Sequence, residues 1–136
     1  MKTETNALEI VNRYYEASNK KDANAAGTLM TDDFVFIGPL MCVEGKAANV
    51  ELLKKFLPMH VEMRIHKQFA DGDDVCSIHD LVIRNPAGGK IIMPMAEWIH
   101  IRDGKIAKQT IYYDPREFSK AFGMMETSLK NQNNKR

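Results

Sequence analysis

Glu97 lies within the run Lys90-Ile-Ile-Met-Pro-Met-Ala-Glu-Trp-Ile-His-Ile-Arg102, which is otherwise mostly apolar. Read with the period of an extended strand, Ile91, Met93, Met95, Glu97, Ile99 and Ile101 share one face. A carboxyl on such a face must be hydrogen-bonded, protonated or held for a ligand, because burying a bare charge is costly. An apolar setting raises a carboxyl pKa, which suits a general acid, a general base or an oxyanion donor. The structural alternative is an acid bonded to Tyr14, His79 or a backbone amide. If the strand phase is reversed, Glu97 faces out and Trp98 faces in.

Two further side chains carry chemistry. The Tyr14 hydroxyl can donate to a ligand oxygen or sit at the rim of the core, and Tyr15 competes for either role. His79 shares the phase of Val75, Ser77 and Leu81 and is expected to point inward, as a core histidine with a partner or as a proton-moving group. Asp80 faces the other way. His60 and His66 fall on the wet face of their strand, which predicts surface or dimer contacts. Cys42 and Cys76 have neither disulfide nor metal spacing, and Cys42 has no base beside it to make a nucleophile. Asp32 and Asp33 read as turn and capping groups, and Asp114 as an N-cap. Phe34, Phe36, Met63, Met93, Met95 and Trp98 supply apolar wall, with Ile111 and Tyr113 beside Gln109 on the last strand. Such a methionine-rich wall is an adaptable core, or a pocket for a flat or flexible apolar ligand.

The elements that position these residues follow from period and punctuation. A helix is predicted from about Thr5, its N-cap, to Asn19, with Ala7, Leu8, Val11, Tyr14, Tyr15 and Ser18 on one stripe. A short helix, Ala23 to Met30, follows its cap Asp22. Thr31 to Pro39 reads as turn, short strand and turn, and Pro39 to Glu44 as a loop. A third helix runs from Lys46 to Leu57 and stops at Pro58. The period then changes to two. Val61, Met63, Ile65 and Phe69 form the dry face of one strand; Val75 to Arg84, Ile91 to Arg102 and Lys105 to Tyr113 are three more. Asn85 to Gly89 and Asp103-Gly104 are hairpin turns. Asp114-Pro-Arg-Glu117 opens a last helix. Helices followed by a strand meander predict an α+β domain over residues 1–125, with helices on one face of a curved, mostly antiparallel sheet. Residues 126–136 read as a polar, disordered tail.

Bulk properties narrow the function. With 136 residues, net charge +1 and no Lys/Arg cluster, a nucleic-acid partner is not expected. No apolar run approaches the ~18 residues of a membrane span. The N-terminus lacks a signal-peptide core, so cytoplasmic residence with free thiols is expected. No metal-ligand cluster is present, and no cofactor is expected.

The order of motifs resembles the nuclear-transport-factor-2-like superfamily, within it the SnoaL-like group of polyketide cyclases and ketosteroid-isomerase-like proteins. The likeness is carried by Val11-Asn-Arg-Tyr-Tyr15 with Asp22 and Leu29-Met-Thr-Asp-Asp-Phe-Val-Phe-Ile-Gly-Pro39, by Gly45-Lys46, and by Glu97-Trp-Ile-His-Ile-Arg-Asp-Gly-Lys-Ile106 ending in Tyr112-Tyr-Asp-Pro115. It implies a cone of three helices against a bent sheet enclosing a pocket, and a homodimer formed through the outer sheet face. In the isomerases, a helix-one tyrosine and a late-strand acid form an oxyanion hole, and an acid before a proline moves the proton. Tyr14 matches the tyrosine. Glu97 matches the late-strand acid when the following hairpin is one residue shorter; otherwise Ala96 falls there. Gly38 stands where the proton-moving acid would be, which leaves His79 as the candidate for that task. The limonene-epoxide-hydrolase branch uses an arginine, an aspartate two residues away and a last-strand aspartate. Ser77, His79, Leu81, Gln109, Ile111 and Tyr113 do not reproduce that set. The resemblance implies binding of a small, mainly apolar molecule of polyketide, steroid or terpenoid kind, with cofactor-independent isomerase, cyclase or hydrolase chemistry. The alternative is a non-catalytic binding or dimerisation module.

Overall fold

The computed structural model of the protein describes residues 2–123, with side chains from residue 6 onward. The expected 126–136 tail lies outside the described residues. Helix α1, Lys2–Asn19, begins ahead of Thr5 and buries Ala7, Val11, Tyr14 and Tyr15 along the predicted stripe. Helix α2, Ala23–Thr28, is capped by Asp22, whose carboxylate accepts from the Ala25 amide at 3.0 Å. It lies against helix α3, Lys46–Phe56, so closely that a Cβ on Gly27 would stand 2.6 Å from Val50 Cγ2. A 3-10 turn, Leu57–Met59, containing Pro58 ends α3.

The sheet has six strands: β1 Met30–Ile37, β2 Cys42–Glu44, β3 His60–Asp71, β4 Asp74–Arg84, β5 Lys90–Arg102 and β6 Lys105–Tyr113. Their order is β2-β1-β6-β5-β4-β3. All pairs are antiparallel except β1 with β6. Two sequence expectations change here. The predicted 39–44 loop contains β2, and Asp32 and Asp33 lie within β1 rather than in a turn. Asp33 there bonds Arg102 at 2.5 Å, and Asp32 lies 4.0 Å from Lys46 Nζ. Helix α4, Arg116–Phe122, starts one residue later than expected. Pro115 is its N-cap, and Asp114 accepts from the Arg116 amide at 3.1 Å.

The register shifts between His60 and Glu62 and again between Ile65 and Lys67, where β3 pairs with β4. Bulges of this kind bend and twist a strand and reverse its side-chain phase. Strict alternation along β3 therefore fails. His60 is buried rather than on the wet face, Gln68 turns inward, and Ile65 and Phe69 are exposed. β5 alternates as its sequence predicts, with Ile91, Met93, Met95, Glu97, Ile99 and Ile101 all buried. The curved sheet holds the helices on one face in two apolar clusters. One joins Ala7, Val11, Tyr14 and Tyr15 to Phe34, Val75, Ile99 and Ile106. The other joins Ile83, Ile91, Met93 and Met95 to Phe118 of α4.

Candidate functional site

Members of both clusters surround a cavity of about 180 Å³. Helix α1 contributes Tyr14, Tyr15 and Ser18; α3 contributes Asn49, Leu52, Leu53 and Phe56; the sheet contributes Met63, His79, Leu81, Met93, Met95, Glu97, Gln109, Ile111 and Tyr113. Leu40, Met41 and Phe118 lie along it from the β1–β2 connection and α4. Most of this wall is apolar, and among the described residues no Lys or Arg lines it. Three sheet strands set the polar end. Glu97 pairs with Ser77 on β4 and Ile111 on β6, while His79 pairs with Met95 one inward step along.

Glu97 is 4% exposed and has two donors. Gln109 Nε2 donates to its Oε1 at 2.5 Å, and the Tyr15 hydroxyl donates to Oε2. Tyr14 donates to Gln109 Oε1 at 2.8 Å, so it acts on Glu97 through the amide. Tyr15 Oη also lies 2.9 Å from Ser77 Oγ, which accepts from Gln68 Nε2 at 3.1 Å. The chain of bonds continues from Gln68 to Asn12 on the α1 surface, at 2.9 Å. Burial pushes the Glu97 carboxyl above the usual carboxylate range, and the bonds from Tyr15 and Gln109 pull it partly back. Burial, then the proximity of Glu97, raises both tyrosine hydroxyls, which keeps them protonated donors.

His79 differs from its neighbours. It is 2% exposed, and neither ring nitrogen makes a well-formed hydrogen bond among the described residues, although the Asp80 backbone lies close enough to pull its pKa partly up. Its Nε2 stands 3.9 Å from Glu97 Oε2. Burial lowers its pKa to about 4, so the ring is neutral at physiological pH. A buried polar group without a partner is rare in native folds and calls for an explanation. The second cavity histidine, His60, is explained: its Nε2 lies 2.8 Å from Asn19 Oδ1.

Of the residues expected at the site, Glu97, Tyr14, His79, Tyr15, Phe36, Met63, Met93, Met95, Ile111 and Tyr113 line the cavity. Two do not. Phe34 is buried in the α1 cluster instead, and Trp98 is 45% exposed on the outer sheet face, its Nε1 bonded to Asp74 at 2.9 Å. The pleat accounts for Trp98, since its neighbour Glu97 points in. Cys42 is exposed on β2 and is absent from the lining. Gly38 does line the cavity, but a Cβ there would meet Ile111 Cγ1 at 3.2 Å and Phe36 Cε2 at 3.4 Å. Ile111 thus occupies the space a side chain at 38 would need. Gln109 is the residue to which the sequence reading gave no role. Its inward phase on the last strand, beside a buried acid, is the signal that finds it.

Helices packed on one face of a curved, six-stranded, mostly antiparallel sheet place the chain in the NTF2-like α+β class. The chain belongs to the SnoaL-like domain family, whose profile matches residues 11–109. Comparison with curated proteins gives no match. Among solved structures, an NTF2-like protein of unknown function from Cytophaga hutchinsonii is 27% identical with a TM-score of 0.72, over 82% of this chain and 93% of that one. A hypothetical protein with a ketosteroid isomerase-like fold from Catenulispora acidiphila, solved in complex with trimethylamine, is 23% identical with a TM-score of 0.69, over 78% of this chain and 85% of that one. An LEH-like epoxide hydrolase from M. tuberculosis is 19% identical with a TM-score of 0.75, over 94% and 98%. Among the described residues, no group of three His, Cys, Asp or Glu is placed to hold a metal ion, and no helix is long and apolar enough to cross a membrane.

Proposed function

We propose that the protein binds a small, mainly apolar molecule in the cavity and moves a proton on it with His79 and Glu97. The observation that carries this reading is the His79 ring, buried at the cavity with both nitrogens unpartnered beside a buried carboxyl. A neutral imidazole can take a proton from a ligand carbon while protonated Glu97 donates to the ligand oxygen. Tyr15, Gln109 and, through the amide, Tyr14 position Glu97 for that task. The volume of about 180 Å³ favours a one-ring molecule over a four-ring steroid, since a cavity of about 150 Å³ holds benzene. The small amine found with the Catenulispora relative is in keeping with a ligand of that size.

Exchange of the α-protons of cyclohexanone in D2O, followed by proton NMR, tests the chemistry. The protein is expected to accelerate exchange, and His79→Gln and Glu97→Gln each to slow it at least tenfold. Binding of the ketone without exchange would leave the second reading, a non-catalytic ligand-binding module. That reading draws on Glu97 already holding two donors. We also propose that the protein is a homodimer through the outer sheet face, where Phe69, Ile78, Trp98 and Tyr112 are exposed. Cytoplasmic residence remains our expectation.

A further inference from the structure

The charges around the cavity do not balance. Among the described residues Glu97 is the only carboxyl that lines the cavity, and its two donors, a phenol and an amide, are neutral. The nearest titratable base is His79, held neutral by burial. A buried carboxyl whose donors are all neutral is costly to ionise, and a positive partner offsets that cost. An anionic ligand would instead meet Glu97 with no Lys or Arg to offset it.

The geometry points to a primary aliphatic amine, bound as its ammonium between Glu97 and His79, as a second ligand class for this cavity. The proposal rests on reading the cavity as a ligand site, not on the proton-transfer chemistry. The gap between Glu97 Oε2 and His79 Nε2 is 3.9 Å. One nitrogen can stand about 2.9 Å from both atoms. The two acceptors then lie close to a right angle apart at that nitrogen, an opening two N–H bonds of an ammonium can span. His79 accepts at Nε2 when its own proton is on Nδ1, and one of its two orphaned nitrogens gains a partner. Ammonium and carboxylate form a charge-assisted pair shielded from water. The hydrocarbon part meets Met93, Met95, Phe36, Ile111, Tyr113 and Phe118. The ammonium thus supplies the positive partner that the buried Glu97 carboxyl, its pKa raised by burial, does not have among the described residues.

The test is calorimetric titration of the full chain at pH 7.5 with three molecules of one shape: cyclohexylmethylamine, cyclohexylmethanol and cyclohexanecarboxylate. The amine is expected to bind at least tenfold tighter than the alcohol, with no heat from the carboxylate. Glu97→Gln is expected to abolish the amine's advantage over the alcohol, bringing the two affinities to one level. The His79 ring nitrogen resonances should move as the amine saturates the wild type. The wild-type ranking stands as a test even if the variant does not fold. An alcohol that binds as well as the amine overturns the amine assignment and leaves the cavity reading intact. So does amine binding that ignores Glu97→Gln or leaves the His79 resonances unmoved. If none of the three binds, the ligand-site reading falls with it.

Discussion

His79 Nε2 and Glu97 Oε2 stand 3.9 Å apart across the polar end of the cavity, beyond hydrogen-bond length yet close enough for one ligand atom to touch both. Behind this pair the bonds are complete: Tyr14 holds Gln109, and Gln109 and Tyr15 hold Glu97. The carboxyl is therefore fixed in place, while neither nitrogen of the imidazole facing it makes a well-formed hydrogen bond among the described residues. Burial acts on the two groups in opposite directions, raising the pKa of one and lowering that of the other. Their effects on stability against pH oppose each other as well.

Glu97→Gln leaves the His79 effect exposed. The folded His79 pKa is lowered to about 4 from 6.5, so between those values the unfolded chain binds the proton and the native one does not. Stability is full above about pH 7 and is lost as pH falls through that window. Between pH 7.5 and 5 the loss in the variant is about 2 kcal/mol by linkage. Urea denaturation at the two pH values measures it. A flat profile in Glu97→Gln would mean that His79 finds a proton-stabilising partner in solution.

His79→Gln should do the reverse. The folded Glu97 pKa is raised above 4.5, so its contribution is full below that value and is lost as pH rises through the folded pKa. Urea midpoints of the variant should fall from pH 5 to pH 8, while those of the wild type change less. Midpoints that hold level across this range would place an ionised, well-compensated Glu97 in the native state.

Period two along β5 foretold that Glu97 would face inward, because no bulge interrupts its pairing with β4. The α1 stripe was equally legible, since Ala7, Val11, Tyr14 and Tyr15 recur at helical spacing. β3 was not. Its two register shifts depend on how it pairs with β4, a long-range property that its own residues do not display. His60 was misplaced for that reason. The choice between Tyr14 and Tyr15 lay beyond sequence too: both are buried on one stripe, and their partners come from β4, β5 and β6, more than 60 residues away. Trp98 and Phe34 were counted as lining because they are apolar. The pleat turns Trp98 outward, and the α1 packing absorbs Phe34.

Gly27→Ala tests the approach of α2 to α3. Alanine gains up to about 1 kcal/mol over glycine in helix propensity. Here its Cβ would stand 2.6 Å from Val50 Cγ2, and a β-branched side chain yields little. Overpacking of this kind costs about 1–3 kcal/mol, so the substitution should lower stability by roughly 1–2 kcal/mol net. Val50→Ala in the same chain should remove the clash, giving a favourable coupling energy in the double-mutant cycle. Additive losses would show that the helices separate without resistance.

The last prediction concerns the outer sheet face. Phe69 on β3 pairs with Cys76 on β4, and Cys76 with Trp98 on β5, so the three lie in one cross-strand row. The next row brings Ile78 beside Ala96 and Ala96 beside Tyr112. Trp98 is anchored by its bond to Asp74, with Lys108 Nζ 5.8 Å from the centre of its ring. Exposed apolar side chains arranged contiguously on a monomer mark an interaction surface. In a twofold dimer each substitution occurs twice, so a charge placed at the centre is doubly unfavourable. Ile78→Lys is therefore expected to weaken self-association at least 100-fold in sedimentation equilibrium. Ile78 is 42% exposed and points away from the core, so the circular dichroism and urea midpoint should stay near wild type. Trp98→Glu should act in the same direction. A wild-type chain that remains monomeric at 100 µM would remove the dimer from the proposal, while the cavity and its two opposed ionisable groups would stand as argued.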